Sequence, residues 1–106
     1  MPTYVLMTKL SPSTIGDPRG RRELGQLWMR KVEEVCRGIR WIAHYALLGP
    51  YDFMDVYEAP DEATAFKVSL LSRAHGAVTA ESWPAIRYEE FLSVAESTER
   101  PRSSGG

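Results

Sequence analysis

Short runs rich in β-branched and aromatic residues alternate along this chain with longer runs of helical period. Strand-like runs cover residues 4–10, 40–48, 53–59 and 77–83, each bounded by turn residues. Helical runs lie between the first and second strands and between the third and fourth, and a shorter one covers residues 87–96. This β-α-β-β-α-β order with a trailing helix is typical of a ferredoxin-like fold. We therefore predict an α+β domain with two helices on one face of a four-stranded antiparallel sheet.

The two long helical runs carry their own start and stop signals. The first has an apolar stripe at spacings of three and four residues, which indicates an amphipathic helix. Gly38 stands where its C-terminal cap is expected. The second begins after Pro60 with Asp61 as its N-cap, and it ends before Gly76. Cys36 lies within the apolar stripe of the first helix, so we expect it to behave as a small buried hydrophobic residue.

Length and charge limit the class of function. The 106 residues fit a single domain, which we assign to residues 1–96; residues 97–106 have no apolar period and are predicted to be a disordered tail. Thirteen Lys and Arg stand against 14 Asp and Glu, for a formal net charge of −1. Nucleic acid and anionic membranes both need a basic footprint, so we expect neither as a partner. We find no signal peptide and no membrane-spanning run, and we expect a cytoplasmic protein.

Motifs for metals, cofactors and nucleophilic catalysis are missing from the sequence. With one cysteine, the chain forms neither an internal disulfide nor a cysteine-based zinc cluster. No glycine-rich phosphate loop, nucleophile elbow or zinc-helix motif is present. His44, Asp55 and Glu81 lack the short ligand spacing of a metal site. We therefore predict no metal and no cofactor.

Two helices cover only one face of the predicted sheet, so strand alternation decides what lies on the open face. We expect the small apolar residues of the first and fourth strands on the helix side: Val5, Met7, Val78 and Ala80. Their alternates then form the open face: Tyr4, Leu6, Thr8, Thr79, Glu81 and Trp83. Such large side chains are hard to leave exposed on a monomer. We predict that a second chain covers them, forming a homodimeric α/β barrel with two-fold symmetry or a higher homo-oligomer.

The hairpin between the second and third strands allows two registers. A two-residue loop would place His44 opposite Tyr57, with Asp55 one step away diagonally. A loop longer by one residue would bring Tyr45 beside Asp55 and Tyr57 instead. In either register Asp55 is a mid-strand carboxylate that needs a partner. An acid–base group and a self-satisfied buried network are both consistent with these residues.

Three segments carry a resemblance to a known family. These are residues 49–53 (Gly-Pro-Tyr-Asp-Phe) with 56–61 (Val-Tyr-Glu-Ala-Pro-Asp), the start at 1–5, and Ile-Arg-Tyr-Glu-Glu-Phe at 86–91. In order and spacing they resemble the GYD-domain family over about residues 1–96. Gly49, Tyr51 and Asp52 match the motif that names it. The resemblance implies a ferredoxin-like chain that assembles as a dimeric α/β barrel, but little about function, because the family is largely uncharacterised.

These observations favour a homo-oligomeric small-molecule-binding or assembly protein. The alternative is a cofactor-independent enzyme, monooxygenase- or isomerase-like, that acts in the barrel cavity with His44 or Asp55 as proton acceptor. The ligand-pocket candidates are Tyr4, Tyr45, Tyr57, Glu81 and Trp83. An enzyme predicts an open cavity whose polar groups converge without fully pairing, whereas a binding or structural protein predicts a paired network or a filled barrel.

Overall fold

A computed structural model describes residues 1–99, except for the side chains of residues 19–21. The elements in chain order are β1 (Thr3–Leu10), α1 (Pro12–Ile15), α2 (Pro18–Val35), β2 (Arg40–Ala46), β3 (Phe53–Glu58), α3 (Glu62–Ala74), β4 (Ala77–Ala85) and α4 (Tyr88–Glu99). α4 therefore ends at Glu99, beyond its predicted end at Glu96. The remainder of the predicted tail, residues 100–106, lies outside the described residues.

The strands of the described chain form one antiparallel sheet in the order β2-β3-β1-β4. β1 and β3 are central, and β2 and β4 are the edges. The predicted α+β class, the four-stranded sheet and the β-α-β-β-α-β order are confirmed. Each helix that joins a pair of strands carries the chain back across the sheet, which is why the first strand lies between the third and the fourth.

Local capping explains where the helices begin and end. The Asp61 carboxylate accepts hydrogen bonds from Thr64 N at 2.8 Å and from Thr64 Oγ1 at 2.7 Å, which confirms the predicted N-cap. These bonds stabilise the charged form and lower the pKa of Asp61. α2 begins at Pro18, because proline is favoured in a first helical turn.

A short helix that the sequence analysis missed packs near the end of α3. α1 begins after Ser11, whose hydroxyl accepts a hydrogen bond from Thr14 N. Gly76 follows α3 with φ +105°, and a Cβ there would lie 3.1 Å from Thr14 Oγ1. Glycine is therefore required at this position both by its backbone conformation and by the close approach of α1.

The prediction of which face of β1 meets the helices is wrong. Tyr4, Leu6 and Thr8 are buried on the helix side, whereas Val5 and Met7 face the open side opposite Trp83 and Glu81. The core cluster consists of Tyr4, Leu6, Val32, Cys36, Tyr57, Ala59, Ala65, Val68, Ala77 and Ala80. The helices contribute small residues to this cluster, so the large side chains of the strands fill the space between the layers.

Predictions for β4 and α2 are confirmed at several positions. Ala80 is buried in the core and Trp83 lies on the open face, as alternation predicted. Val78, expected on the helix side, is 57% exposed, because the ladder shifts register at the neighbouring end of β1. Cys36 is buried as predicted, and burial raises the pKa of its thiol.

Candidate functional site

The hairpin between β2 and β3 adopts neither of the predicted registers. His44 lies directly opposite Asp55, and a shift in register between Trp41 and Ala43 marks a bulge in β2. The connection is longer than expected, because β2 ends at Ala46 and the Leu47 N–H donates to Asp52 O at 2.8 Å. The longer loop brings the histidine and the carboxylate into a direct cross-strand pair.

The His44–Asp55 pair is half buried. His44 Nδ1 lies 2.7 Å from Asp55 Oδ1; the side chain of Asp55 is 11% exposed and that of His44 45%. Burial raises the pKa of Asp55, although the hydrogen bond and charge of His44 act in the opposite direction. The His44 ring also contacts Trp41, with ring centroids 5.1 Å apart. The pair therefore has one side in the protein and one side in solvent.

Tyr57 does not join this pair. Its hydroxyl lies 2.8 Å from Ser82 Oγ, which in turn lies 2.8 Å from Ser69 Oγ. Its ring contacts Tyr4 and Trp41, each at a centroid distance of 5.5 Å. Burial raises the pKa of Tyr57 to about 12. Tyr57 thus belongs to a paired network that links β3, β4 and α3 and stays protonated at neutral pH.

A pocket opens on the helix side of the sheet, where Asp55 forms part of its wall. Its volume is ≈ 260 Å³. The lining residues come from β1, α1, α2, β3, the end of α3 and the start of β4: Thr8, Leu10, Thr14, Leu24, Gly25, Trp28, Met29, Phe53, Asp55, Ser72, His75 and Ala77. The buried indole N–H of Trp28 finds no hydrogen-bond partner in the described part of the chain. The pocket is mostly apolar, with a few polar groups that are not fully paired.

Another polar group lies on the opposite, open face of the sheet. Glu81 Oε1 accepts a hydrogen bond from Trp83 Nε1 at 2.9 Å, and Tyr51 OH lies 3.2 Å from Glu81 Oε2. The Tyr51 and Trp83 rings meet edge to face at 6.0 Å. Burial, followed by the charge of Glu81 and its hydrogen bond, raises the pKa of Tyr51. Sequence reasoning missed that Tyr51 reaches this face, because a loop residue has no alternation to place it.

Comparison with known proteins identifies the family. A sequence model of the GYD domain matches residues 4–95. The chain belongs to the GYD domain family. It is also similar to a protein of Thermus thermophilus named glutamine synthetase and cystathionine beta-lyase binding protein. The two are 31% identical over 97 residues, which cover 88% of this chain and 97% of the relative.

The motif that names the GYD domain ties the hairpin loop to the end of β1. Asp52 Oδ2 accepts a hydrogen bond from Leu10 N at 2.8 Å, and the Asp52 N–H donates to Thr8 O at 2.8 Å. Tyr51 projects from the same loop onto the open face. The Asp52 carboxylate therefore binds backbone in this GYD domain and fixes the hairpin loop against β1.

The GYD domain divides the predicted site residues between its two faces. The helix side holds Tyr4, His44, Asp55 and Tyr57, and the open face holds Tyr45, Glu81 and Trp83. The pairing of β1 with β3 and of β3 with β2 places His44 and Asp55 on the helix side rather than on the open face. The reason is the face assignment of β1, from which the neighbouring strands follow. Among the described helices of this GYD domain, none is long and apolar enough to cross a membrane.

Proposed function

We propose that this GYD domain is a homo-oligomeric protein-binding protein whose open sheet face pairs with the same face of a second copy. The observation that carries the proposal is the apolar surface on that face. Trp83 is 44% exposed and Tyr45 is 54% exposed. Val5 and Val56, which pair across β1 and β3, lie between them and are only half buried. Stable monomers rarely leave a contiguous apolar patch of this kind in water.

A second copy is the occupant that suits this surface. Two sheet faces pack face to face about 10 Å apart, with their side chains interdigitating. A two-fold axis requires a patch that complements itself, and a half-buried sheet face with both large and small side chains meets that need. One carboxylate of this face, Glu81, already accepts hydrogen bonds from Tyr51 and Trp83. Another, Glu58, lies 3.6 Å from the Arg40 guanidinium. Covering these carboxylates therefore costs less than covering unpaired ones would.

The protein-binding part of the proposal is supported by the name of the Thermus relative and by α4. None of the twelve residues of α4, all within the described chain, is buried. Its apolar residues recur at helical spacing and form one stripe: Tyr88, Phe91, Leu92 and Ala95. The rest of the helix carries four glutamates and no Lys or Arg. Such a helix fits an apolar groove with a basic rim. We propose that α4 contacts an enzyme with such a groove, and that glutamine synthetase and cystathionine beta-lyase are its partners.

Sedimentation-velocity ultracentrifugation of the purified chain and two variants tests the self-association. Trp83→Arg places a charge within the open face, and we expect it to raise the dimer dissociation constant at least about tenfold. Val78→Arg is the matched control, since Val78 is comparably exposed on the same strand but lies five residues from Trp83, at the register shift beside the end of β1. A wild-type monomer at micromolar concentration, or equal effects of the two variants, would contradict the proposed dimer.

Biolayer interferometry with purified glutamine synthetase and cystathionine beta-lyase from the same genome tests the partner. We expect the double variant Phe91→Ser, Leu92→Ser to weaken binding to at least one enzyme about tenfold or more, because it removes the centre of the α4 stripe. Val94→Ser is the control: Val94 is exposed on α4 but lies off the stripe. Absence of wild-type binding to both enzymes would refute the proposed partners, and equal binding by the two variants would refute the role of α4.

A further inference from the structure

The pocket on the helix side of the sheet is separate from the surfaces used in the proposed function. It lies between the sheet and the helices α1, α2 and α3, whereas the open face and α4 lie elsewhere. Ligand pockets commonly span about 300–1,000 Å³. At ≈ 260 Å³ this one suits a small molecule. Ligand binding in this pocket is therefore independent of oligomerisation and of enzyme binding.

A glycine in the interior of α2 keeps the pocket wide. Gly25 lines the pocket, and a Cβ added to it would meet nothing within 4 Å. Its backbone is helical, so neither a left-handed conformation nor close packing requires glycine here. Glycine inside a helix is less favourable than alanine. A glycine at position 25 leaves open space at the pocket, which accounts for a residue that the packing of the chain does not require.

Polar groups on the pocket wall remain incompletely paired. Among the described residues, His44 alone hydrogen bonds to the Asp55 carboxylate, and it does so at Oδ1. The indole N–H of Trp28 also has no partner in the described part of the chain, but it is buried from solvent and so does not face the open space. Buried polar groups in a filled core are normally satisfied. Unpaired groups around an open space are instead what a ligand site shows before its ligand binds.

We propose that this pocket binds a small organic amine with an apolar body. The ammonium group hydrogen bonds to the free side of the Asp55 carboxylate, and His44 holds that carboxylate in position from the edge strand. The apolar body lies between Trp28 and Phe53, where an aromatic face also attracts a cation. Burial removes water from the Asp55 carboxylate, and the bound ammonium group compensates for that lost solvation.

The charge of the wall selects against anions. The described lining residues include a carboxylate but no Lys or Arg. His75 Nδ1 lies 2.8 Å from Leu71 O, so its N–H donates to that carbonyl and is not free to bind an anion. A carboxylic acid with the same body would place a negative charge against Asp55 without any compensating cation. The pocket should therefore separate an amine from its carboxylate analogue.

Isothermal titration calorimetry with two matched probes tests the proposal. 2-Phenylethylamine and phenylacetate share an aromatic body and differ in the charge of the end group. We expect the amine to bind the wild-type chain at least about tenfold more tightly than phenylacetate. Asp55→Asn should weaken amine binding by about tenfold or more, because it removes the charge and keeps the shape. Glu81→Gln, a carboxyl substitution on the open face, should leave the affinity unchanged.

Gly25→Leu gives a second variant that does not disturb the charge. Leucine favours the helix, so the domain should stay folded while the added side chain occupies the pocket. We expect Gly25→Leu to abolish amine binding and to leave the thermal midpoint unchanged or raised. The proposal is overturned if the amine does not bind at millimolar concentration, if phenylacetate binds equally well, or if either pocket variant binds like wild type. Sedimentation and enzyme-binding assays of Gly25→Leu should match wild type, which separates this failure from failure of the proposed function.

Discussion

The two faces of the sheet use the same residue types in different ways. On the helix side, Tyr57 is fully buried, stacks on Tyr4, contacts Trp41 at a tilt and pairs its hydroxyl with Ser82. On the open face, Tyr45 is 54% exposed. Both tyrosines lie within strands of one hairpin, so strand propensity does not distinguish them. The difference is that helices cover one face of the sheet and leave the other open, so an aromatic side chain is part of the core on the first and of the surface on the second.

Carboxylates show the same contrast. Asp55 lies under the helices, where burial raises its pKa and only His44 among the described residues pairs with it. Glu81 lies on the open face and accepts hydrogen bonds from Tyr51 and Trp83. The helix side therefore retains an under-paired acid beside open space, whereas the open face has already satisfied its acid. This difference is why we assign a small ligand to one face and a protein surface to the other.

The largest expected effect tests the assignment of the two faces. Leu6 is fully buried on the helix side, and its neighbour Val5 is half buried on the open face. Leu6→Ala should reduce the free energy of unfolding by about 2–5 kcal/mol, because it removes buried methyl groups and leaves a cavity. Val5→Ala should cost about 1 kcal/mol or less. Urea titration at low protein concentration, where a dimer dissociates, measures both.

Equal losses for the two variants would contradict the assignment of β1. A larger loss for Val5→Ala would go further and restore the original prediction that the small residues of β1 face the helices. If the Val5→Ala loss grows with protein concentration while the Leu6→Ala loss does not, the open face is covered by a second copy. In that case the helix side is buried within one chain, whereas the open face is buried only when two copies associate.

Element type and order could be predicted from the sequence because they depend on local patterns. The Asp61 cap and the apolar stripe around Val32 lie within single elements, and the structure confirms both. The face of β1 could not be predicted, since alternation divides Tyr4 and Leu6 from Val5 without saying which set meets the helices. That choice depends on the side chains opposite. Ala65 and other small helix residues leave room for the larger set.

The pocket was harder to predict than the fold. His44 and Asp55 were recognised as a pair, but their register depended on a bulge in β2 that no local signal announces. The pocket wall joins residues from six elements spread along the sequence. One signal was available and was not used: Gly25 interrupts an otherwise strong helical pattern without a turn nearby. A glycine in such a position often has a packing or functional reason.

The smallest effect concerns pH and contrasts two aspartates with opposite pKa shifts. Burial raises the pKa of Asp55 from its ordinary 3.8, because the charged carboxylate is disfavoured in the folded protein. The free energy of unfolding of the wild type therefore falls as the pH rises through that raised pKa. Hydrogen bonds from Thr64 lower the pKa of Asp61, so its contribution is present above pH 3.8 and is lost as the pH falls through the lowered value. The stability of Asp55→Asn relative to wild type should therefore increase with pH. The stability of Asp61→Asn relative to wild type should decrease as the pH rises from strongly acidic values. Urea titrations across this range measure both differences, and two slopes of the same sign would show that Asp55 is not a buried, under-paired acid.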